Sequence, residues 1–388
     1  MQKNLFILLS LFISSFEVVQ IPLVYENSMF FINLILGSSN QTLYLAVDTS
    51  IPYSLIASPY CQNCIGTRYN ADVSTTKEQK EIGNYTKIYN FYNGSSFIDN
   101  YRFNLQSYNQ TIKKFEFISF TNVTLKKEFS FPGFFSFSFC NQKVSEDLKV
   151  FALYLGDNPF MEVNEVNTEI VKNQSNLMEY RVKCEEGEEG KWYVEPDKLT
   201  FFNYTYLSST EEPFKLILDT TSWNLNIPSD FFYKHMKEFL PDTKCQVQLD
   251  GHFLCECTDS TQFPTFNFTF SNGHYIQITP RDYIQYDPAV TGKYCYVYLT
   301  INYENKFWEA GISVLNNYYS IFNLENKTLS FYTMTTSITG SNHYLMTFII
   351  VLCASLFFLF GGYALYNKYV MNRENSQPRG RPQMNIAL

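Results

Sequence analysis

Two aspartates close two similar apolar runs. Asp48 ends the run in "LYLAVDTSIPYSLI", which begins at Leu43, and Asp219 holds the matching place in "FKLILDTTSWNLNIP". Each copy continues as Asp-Thr-hydroxyl, turns, and enters a second apolar run. A single Asp after a strand is a turn former, because its side chain bonds the backbone two residues on. A repeat built around the acid points instead to two equivalent halves that bring both carboxylates together. Acids a few ångströms apart cannot both ionise cheaply, so such a pair shares one proton and titrates as a unit, a state suited to general acid and base work.

The elements that must position the pair are strands. Phe (37) and Tyr (30) are abundant among 388 residues and only 17% of residues are charged, which suits half-buried pleated surfaces. The length is enough for two lobes. A formal net charge of -8 argues against a phosphate-neutralising surface and with it a nucleic-acid partner. From Ile21 to Leu105 the chain reads as short strands broken by Asn, Gly and Ser, followed by "FEFISFTNVTL" and "FPGFFSFSF". The interval from Glu162 to Glu189, with "EEGEEG", reads as an exposed polar connector. A second β-rich lobe begins near "KWYVEPDKLTFFN". It contains one modest helix, "SDFFYKHMKEFL", with Ser229 as N-cap, and a hairpin, "TFNFTFSNGHYIQI".

Both ends carry targeting features. Residues 1–19 read as a signal peptide, and residues 344–366 as an apolar run long enough to cross a bilayer. Lys368, Arg373, Arg379 and Arg381 follow it, which assigns a cytosolic tail at 367–388 and a lumenal or extracellular remainder. Sequons at Asn40, Asn84, Asn93, Asn109, Asn122, Asn173, Asn203, Asn267 and Asn326 fit a glycosylated ectodomain. With Cys353 inside the apolar run, the ectodomain keeps an even set: Cys61, Cys64, Cys140, Cys184, Cys245, Cys255, Cys257 and Cys295. Even numbers in an oxidising compartment argue for disulfides. Cys61 and Cys64 read as a small closed loop rather than a metal site, since no second close pair at zinc-ribbon spacing follows and the four His are scattered without ligand spacing. The partners of Cys140, Cys184, Cys245 and Cys255 stay open, with Cys245–Cys255 and Cys140–Cys184 as the favoured pairings.

These segments together resemble the pepsin-like aspartic proteases. "VDTSIPYSLIAS" and "LDTTSWNLNIPS" are similar to that family's two active-site segments, and "WEAGISVLNNYYSIFN" is similar to its C-terminal motif. The stretch between Cys257 and Cys295 resembles its C-lobe disulfide loop, and Cys61 with Cys64 its N-lobe loop. The resemblance implies an all-β, bilobal double-barrel fold with an interlobe cleft, with lobes at 20–175 and 176–335 and the transmembrane helix beyond. It implies that Asp48 and Asp219 are the catalytic pair, supported by Thr49, Ser50, Thr220, Thr221 and Ser222. One acid takes a proton from water while the other hydrogen-bonds the peptide carbonyl. No metal or organic cofactor is implied. The expected partners are protein or peptide substrates, and the expected form is a monomeric type I membrane protein of the cell surface or endolysosomal membrane.

The sequence departs from the family at the pair itself. The family's Gly after each Asp-Thr is Ser50 and Thr221, where an added side chain is expected to crowd the dyad or the substrate. The hydroxyl residue that follows is Ile51 in the first copy and Ser222 in the second, so Asp48 is expected to lose one orienting bond. The family's Gly-Asp in the C-terminal motif is Gly311-Ile312. The flap is expected in "IYNFYNGSS", with Tyr92 or Phe91 capping the cleft and Gly94 in its turn. The strand region begins directly after the signal region, leaving little room for a propeptide. These departures keep a second reading open: a catalytically impaired relative that binds peptides or partners in its cleft.

Overall fold

The computed structural model describes residues 18–51, 53–61, 64–79, 91–105, 111–123, 133–137, 148–172, 178–181, 191–209, 214–237, 245–248, 251–256, 263–285, 294–303 and 306–333. All of these belong to one compact unit, Met1–Met334. Residues 1–17 of the segment expected to be a signal peptide, and the apolar C-terminal segment, lie outside the described residues. Among those described, no helix is long and apolar enough to cross a membrane.

The described chain is dominated by β-structure, and the repeat seen in sequence is a repeat of topology. In the first half, Gln41–Asp48 lies parallel to Gly133–Ser136, with Asp48 in register with Ser136. Ser54–Ala57 pairs antiparallel with Gly133–Ser136 and parallel with Ile112–Val123. The second half repeats this arrangement. Leu216–Leu218 lies parallel to Trp308–Ala310, and Leu225–Pro228 pairs antiparallel with Trp308–Ala310 and parallel with Tyr294–Asn302. Each half builds an eight-stranded sheet around this unit. A six-stranded sheet takes Phe160–Val163 and Val150–Tyr154 from one part of the chain and Tyr318–Asn323 and Thr328–Thr333 from the other. Strands buried on both faces read as continuous apolar runs, which explains why "GFFS" and "LIL" show no alternation.

Two glycines let the paired units close. Gly133 has φ +147°, and a Cβ there would stand 1.9 Å from the Leu55 carbonyl oxygen. At Gly311 a Cβ would meet the carbonyl oxygens of Asn224 and Ser222 at 2.3 and 2.5 Å. Gly311 is therefore needed for close approach to the turn after Asp219. We expect Gly311→Ala to cost about 3 kcal/mol of stability, at the upper end of ordinary overpacking, measured by denaturant unfolding; an unchanged midpoint would show that the turn yields freely.

Two sequence expectations need correction. Ser229 is the first helical residue of Ser229–Phe231, and Pro228 occupies the N-cap position, where its fixed φ suits the strand-to-helix change. The interval after Glu162 is not simply an exposed connector. Glu162 lies in Phe160–Val163 and is fully buried, accepting bonds from the Tyr319 hydroxyl, Gln20 Nε2 (3.2 Å) and the Asn167 amide (2.9 Å). Burial pushes its carboxyl above the usual range. Met178–Arg181, further along the interval, adds an edge strand to the six-stranded sheet. The hairpin is found as expected, with Phe266–Thr269 antiparallel to Tyr275–Ile278.

Candidate active site

Thr49 and Thr220 bring the two aspartates together. The Thr49 hydroxyl donates to the Leu218 carbonyl at 2.9 Å, and the Thr220 hydroxyl donates to the Val47 carbonyl at 2.8 Å. Each hydroxyl oxygen also accepts the other threonine's amide: Thr49 N to Thr220 Oγ1 is 3.2 Å, and Thr220 N to Thr49 Oγ1 is 3.3 Å. Both threonines are fully buried, so these four reciprocal bonds act away from water and lock one turn against the other. The residue preceding each threonine is the acid.

Each carboxylate is then held by its own turn. Asp48 Oδ1 accepts the Ser50 amide at 2.7 Å, the Ser50 hydroxyl at 2.8 Å and the Ile51 amide at 3.1 Å. Asp219 Oδ1 accepts the Thr221 amide at 2.8 Å and the Thr221 hydroxyl at 2.6 Å. Ser50 and Thr221 thus turn their hydroxyls onto the acids, and Asp48 has the hydroxyl bond that Ile51 cannot supply. Ser222 does not bond an acid; its Oγ accepts the Asn224 amide at 3.2 Å and its carbonyl accepts the Ile312 amide at 2.8 Å.

The two acids differ in surroundings. Asp48 is fully buried, whereas Asp219 is partly exposed. Asp48 Oδ2 is buried and has no hydrogen-bond partner. Burial, and then the charge of Asp219, push the Asp48 carboxyl up to about 7, against the lowering effect of the bonds from Ser50 and Ile51. With Oδ1 saturated by donors, the proton belongs on Oδ2, where it turns an orphaned acceptor into a donor.

The remaining expected site residues are placed less completely. Phe91, Tyr92 and Gly94 open the strand Phe91–Phe103, in register with Val123, Asn122 and Phe120; their side chains and residues 80–90 lie outside the described residues. Cys61 is bonded to Cys64, and Cys245 to Cys255. Cys295 is disulfide-bonded, while Cys257, Cys140 and Cys184 lie outside the described residues. Sequence reading missed the role of Ser136, which stands in register with Asp48 and donates its hydroxyl to the Ile51 carbonyl at 2.5 Å. The signal was present in the second half, where "EAGIS" takes the corresponding place.

An interlocked pair of Asp-Thr turns on two topologically equivalent sheets defines an aspartic-protease-type architecture. A sequence model described as eukaryotic aspartyl protease matches residues 29–334, and the chain belongs to that family. Among curated relatives it is similar to gastricsin of Callithrix jacchus, 31% identical over 122 residues, which is 30% of this chain and 29% of the relative. Gastricsin of Oryctolagus cuniculus is 30% identical over 120 residues, covering 30% of this chain and 29% of that protein. The match spans about three tenths of the length of these relatives.

Proposed function

We propose that the protein is an aspartic endopeptidase, with Asp48 and Asp219 as the catalytic pair. The observation that carries this reading is the reciprocal Thr49–Thr220 lock, which sets two carboxyls into electrostatic contact with Oδ1 of each fixed by donors. Asp48 holds the shared proton on Oδ2, and the more exposed Asp219 acts as the base. Asp219 removes a proton from the attacking water while Asp48 hydrogen-bonds the scissile carbonyl oxygen, and a proton then passes to the leaving nitrogen. Thr49, Thr220, Ser50 and Thr221 act by positioning the acids. Phe91, Tyr92 and Gly94 belong to the proposed flap, whose backbone continues from Glu78–Gln79, antiparallel to Phe97 and Ile98.

The test is cleavage of unfolded protein by the detergent-purified chain. We expect acid-optimal activity blocked by a statine-type transition-state mimic. Absence of cleavage at every pH from about 3 to about 7, a span that covers the ordinary carboxylate range and above, would overturn it. The second reading, an impaired relative that binds peptides without cutting them, draws on Ile51, an apolar side chain buried where the other copy has Ser222. Binding of the mimic without cleavage would establish it.

The proposed setting is the secretory pathway, with a single C-terminal membrane anchor. The Cys61–Cys64 and Cys245–Cys255 bonds suit an oxidising compartment, and Asn40, Asn203 and Asn326 present their sequons as exposed residues. Protease added to sealed microsomal vesicles should leave residues 20–335 protected and remove only the tail after 366. Digestion of the ectodomain with protection of the tail would reverse the orientation.

A further inference from the structure

The carbonyl of the third residue after each acid is held in both halves, but by different donors. In the second half the Ser222 carbonyl accepts the Ile312 amide at 2.8 Å. In the first half the Ile51 carbonyl accepts the Ser136 hydroxyl at 2.5 Å. Strand pairing makes Ser136 and Gly311 equivalent positions. Asp48 is in register with Ser136, and Leu218 with Ala310, the residues just before Asp219 and Gly311. Gly311 leaves no room for a side chain, because a Cβ there would stand 2.5 Å from the Ser222 carbonyl oxygen. At Ser136 a hydroxymethyl group takes that place and supplies the donor. The first half thus replaces a backbone bond with a side-chain bond, which a single substitution can remove.

Ser136 is a well-fixed donor. It is fully buried, and its amide donates to Ser54 Oγ at 2.9 Å. The next amide, of Phe137, donates to the Asp48 carbonyl at 2.9 Å, and the Phe137 carbonyl accepts the Trp192 indole at 2.7 Å. Ile51 is held at both ends as a result: its carbonyl by Ser136, and its amide by Asp48 Oδ1 at 3.1 Å. Ile51 is itself buried, so a carbonyl released there loses a bond that water does not readily replace. A donor to a carboxylate favours its charged form, and the Ile51 amide acts in that direction on Asp48, against burial and the charge of Asp219. Asp219, on the facing turn, is the titratable group that acts on Asp48. The strands Met29–Leu36 and Gly133–Ser136, which flank the strand of Asp48, carry no ionisable side chain.

We infer that Ser136 is a positioning residue of the proposed dyad: its hydroxyl fixes Ile51, and Ile51 in turn presents its amide to Asp48. The consequence for catalysis rests on the endopeptidase reading. The inference goes beyond that reading by naming a residue outside both Asp-Thr turns that sets the pH range over which the pair works.

The experiment uses the full chain in detergent and two variants, Ser136→Ala, which removes the donor, and Ser136→Cys, which keeps a side chain of similar shape but donates weakly. Each is also made in Asp48→Asn. Denaturant midpoints are measured from about pH 4 to about pH 8, a span that brackets the ordinary and the raised value of Asp48. A carboxyl raised in the folded state loses its stabilising contribution as pH rises, and the more it is raised the more is lost. The gap between the native chain and Ser136→Ala should therefore widen with pH, and the same substitution in Asp48→Asn should give a gap that does not change with pH. In peptide cleavage, we expect kcat to fall about tenfold in Ser136→Ala with little change in KM. The alkaline limb should move upward by about half to one pH unit, as the donor bond to the charged form weakens. A gap that is the same at every pH, or cleavage with an unmoved limb, would reduce Ser136 to a structural role and leave the endopeptidase reading standing. If no form of the chain cuts peptides, that reading falls by itself; a widening that depends on Asp48 still supports the positioning, and its absence overturns it. If Ser136→Ala fails to fold, Ser136→Cys carries both comparisons.

Discussion

Asp48→Asn and Asp219→Asn should each lower the rate of peptide cleavage by about a thousandfold or more, since removing one member of an acid–base pair forfeits on the order of 10²–10⁴ in rate. The substitutions should leave the fold intact. An Asn at either position keeps an oxygen able to accept the bonds from Ser50 and Ile51, or from Thr221. The pH profile carries a further expectation. Asp48 holds its proton up to about 7, so activity should be retained through the acidic range and fall as pH rises past that value and the shared proton is lost. Stability follows the same sign. A carboxyl whose pKa is raised in the folded state, from 3.8 to about 7, stabilises fully below pH 4 and loses that contribution as pH rises toward 7. Asp48→Asn removes the buried charge and should therefore be more stable than the native chain at pH 7, by at least about 1 kcal/mol on the scale of an unsatisfied buried group. Glu162 is also raised by burial and contributes with the same sign, but it is present in both proteins and cancels in the difference. Full activity in either Asn variant would remove the dyad from the mechanism.

The acids were legible because two constraints coincide on them. An apolar strand must end where its carboxylate can meet a turn, and a second copy is needed to form a pair, so both the pattern and its repetition survive in the sequence. The Cys245–Cys255 bond was legible for a similar reason, as two cysteines close along the chain that fall in register across Cys245–Val247 and His252–Glu256. Gly133–Ser136 was legible only as one apolar run among many. A short strand buried on both faces carries no period, and its register with Asp48 is decided by residues far along the chain. Glu162 was misread because it opens a polar stretch, while its burial depends on Tyr319, 157 residues away, and on Gln20, 142 residues away in the other direction. The direction of a side chain was the least legible feature. Ser50 and Thr221 differ from the family's glycine by added atoms, and composition alone does not say whether those atoms face the cleft or the carboxylate.

That direction decides the outcome of replacing both by glycine. If the side chains only crowded the cleft, Ser50→Gly/Thr221→Gly would accelerate cleavage. Their hydroxyls instead donate to Oδ1 of Asp48 and Asp219 at 2.8 and 2.6 Å, and Ser50 is nearly buried, with 9% exposure. The glycine variant keeps the backbone amide bond to each acid and loses the hydroxyl bond. We expect kcat to fall by about ten- to a hundredfold, the loss that follows when a catalytic group is held less well in place, with little change in KM. The pH profile should move as well. A donor to a carboxylate stabilises its charged form, and the Ser50 bonds hold the Asp48 carboxyl lower than burial alone would place it. Removing the hydroxyl should raise that value further and shift the alkaline limb of the profile upward. A purely structural role would lower the rate without moving the limb, and Ser50→Thr, which restores a hydroxyl at the same position, should return both rate and limb toward the native values. A faster double variant with an unmoved profile would mean that the two hydroxyls obstruct the site and do not orient it.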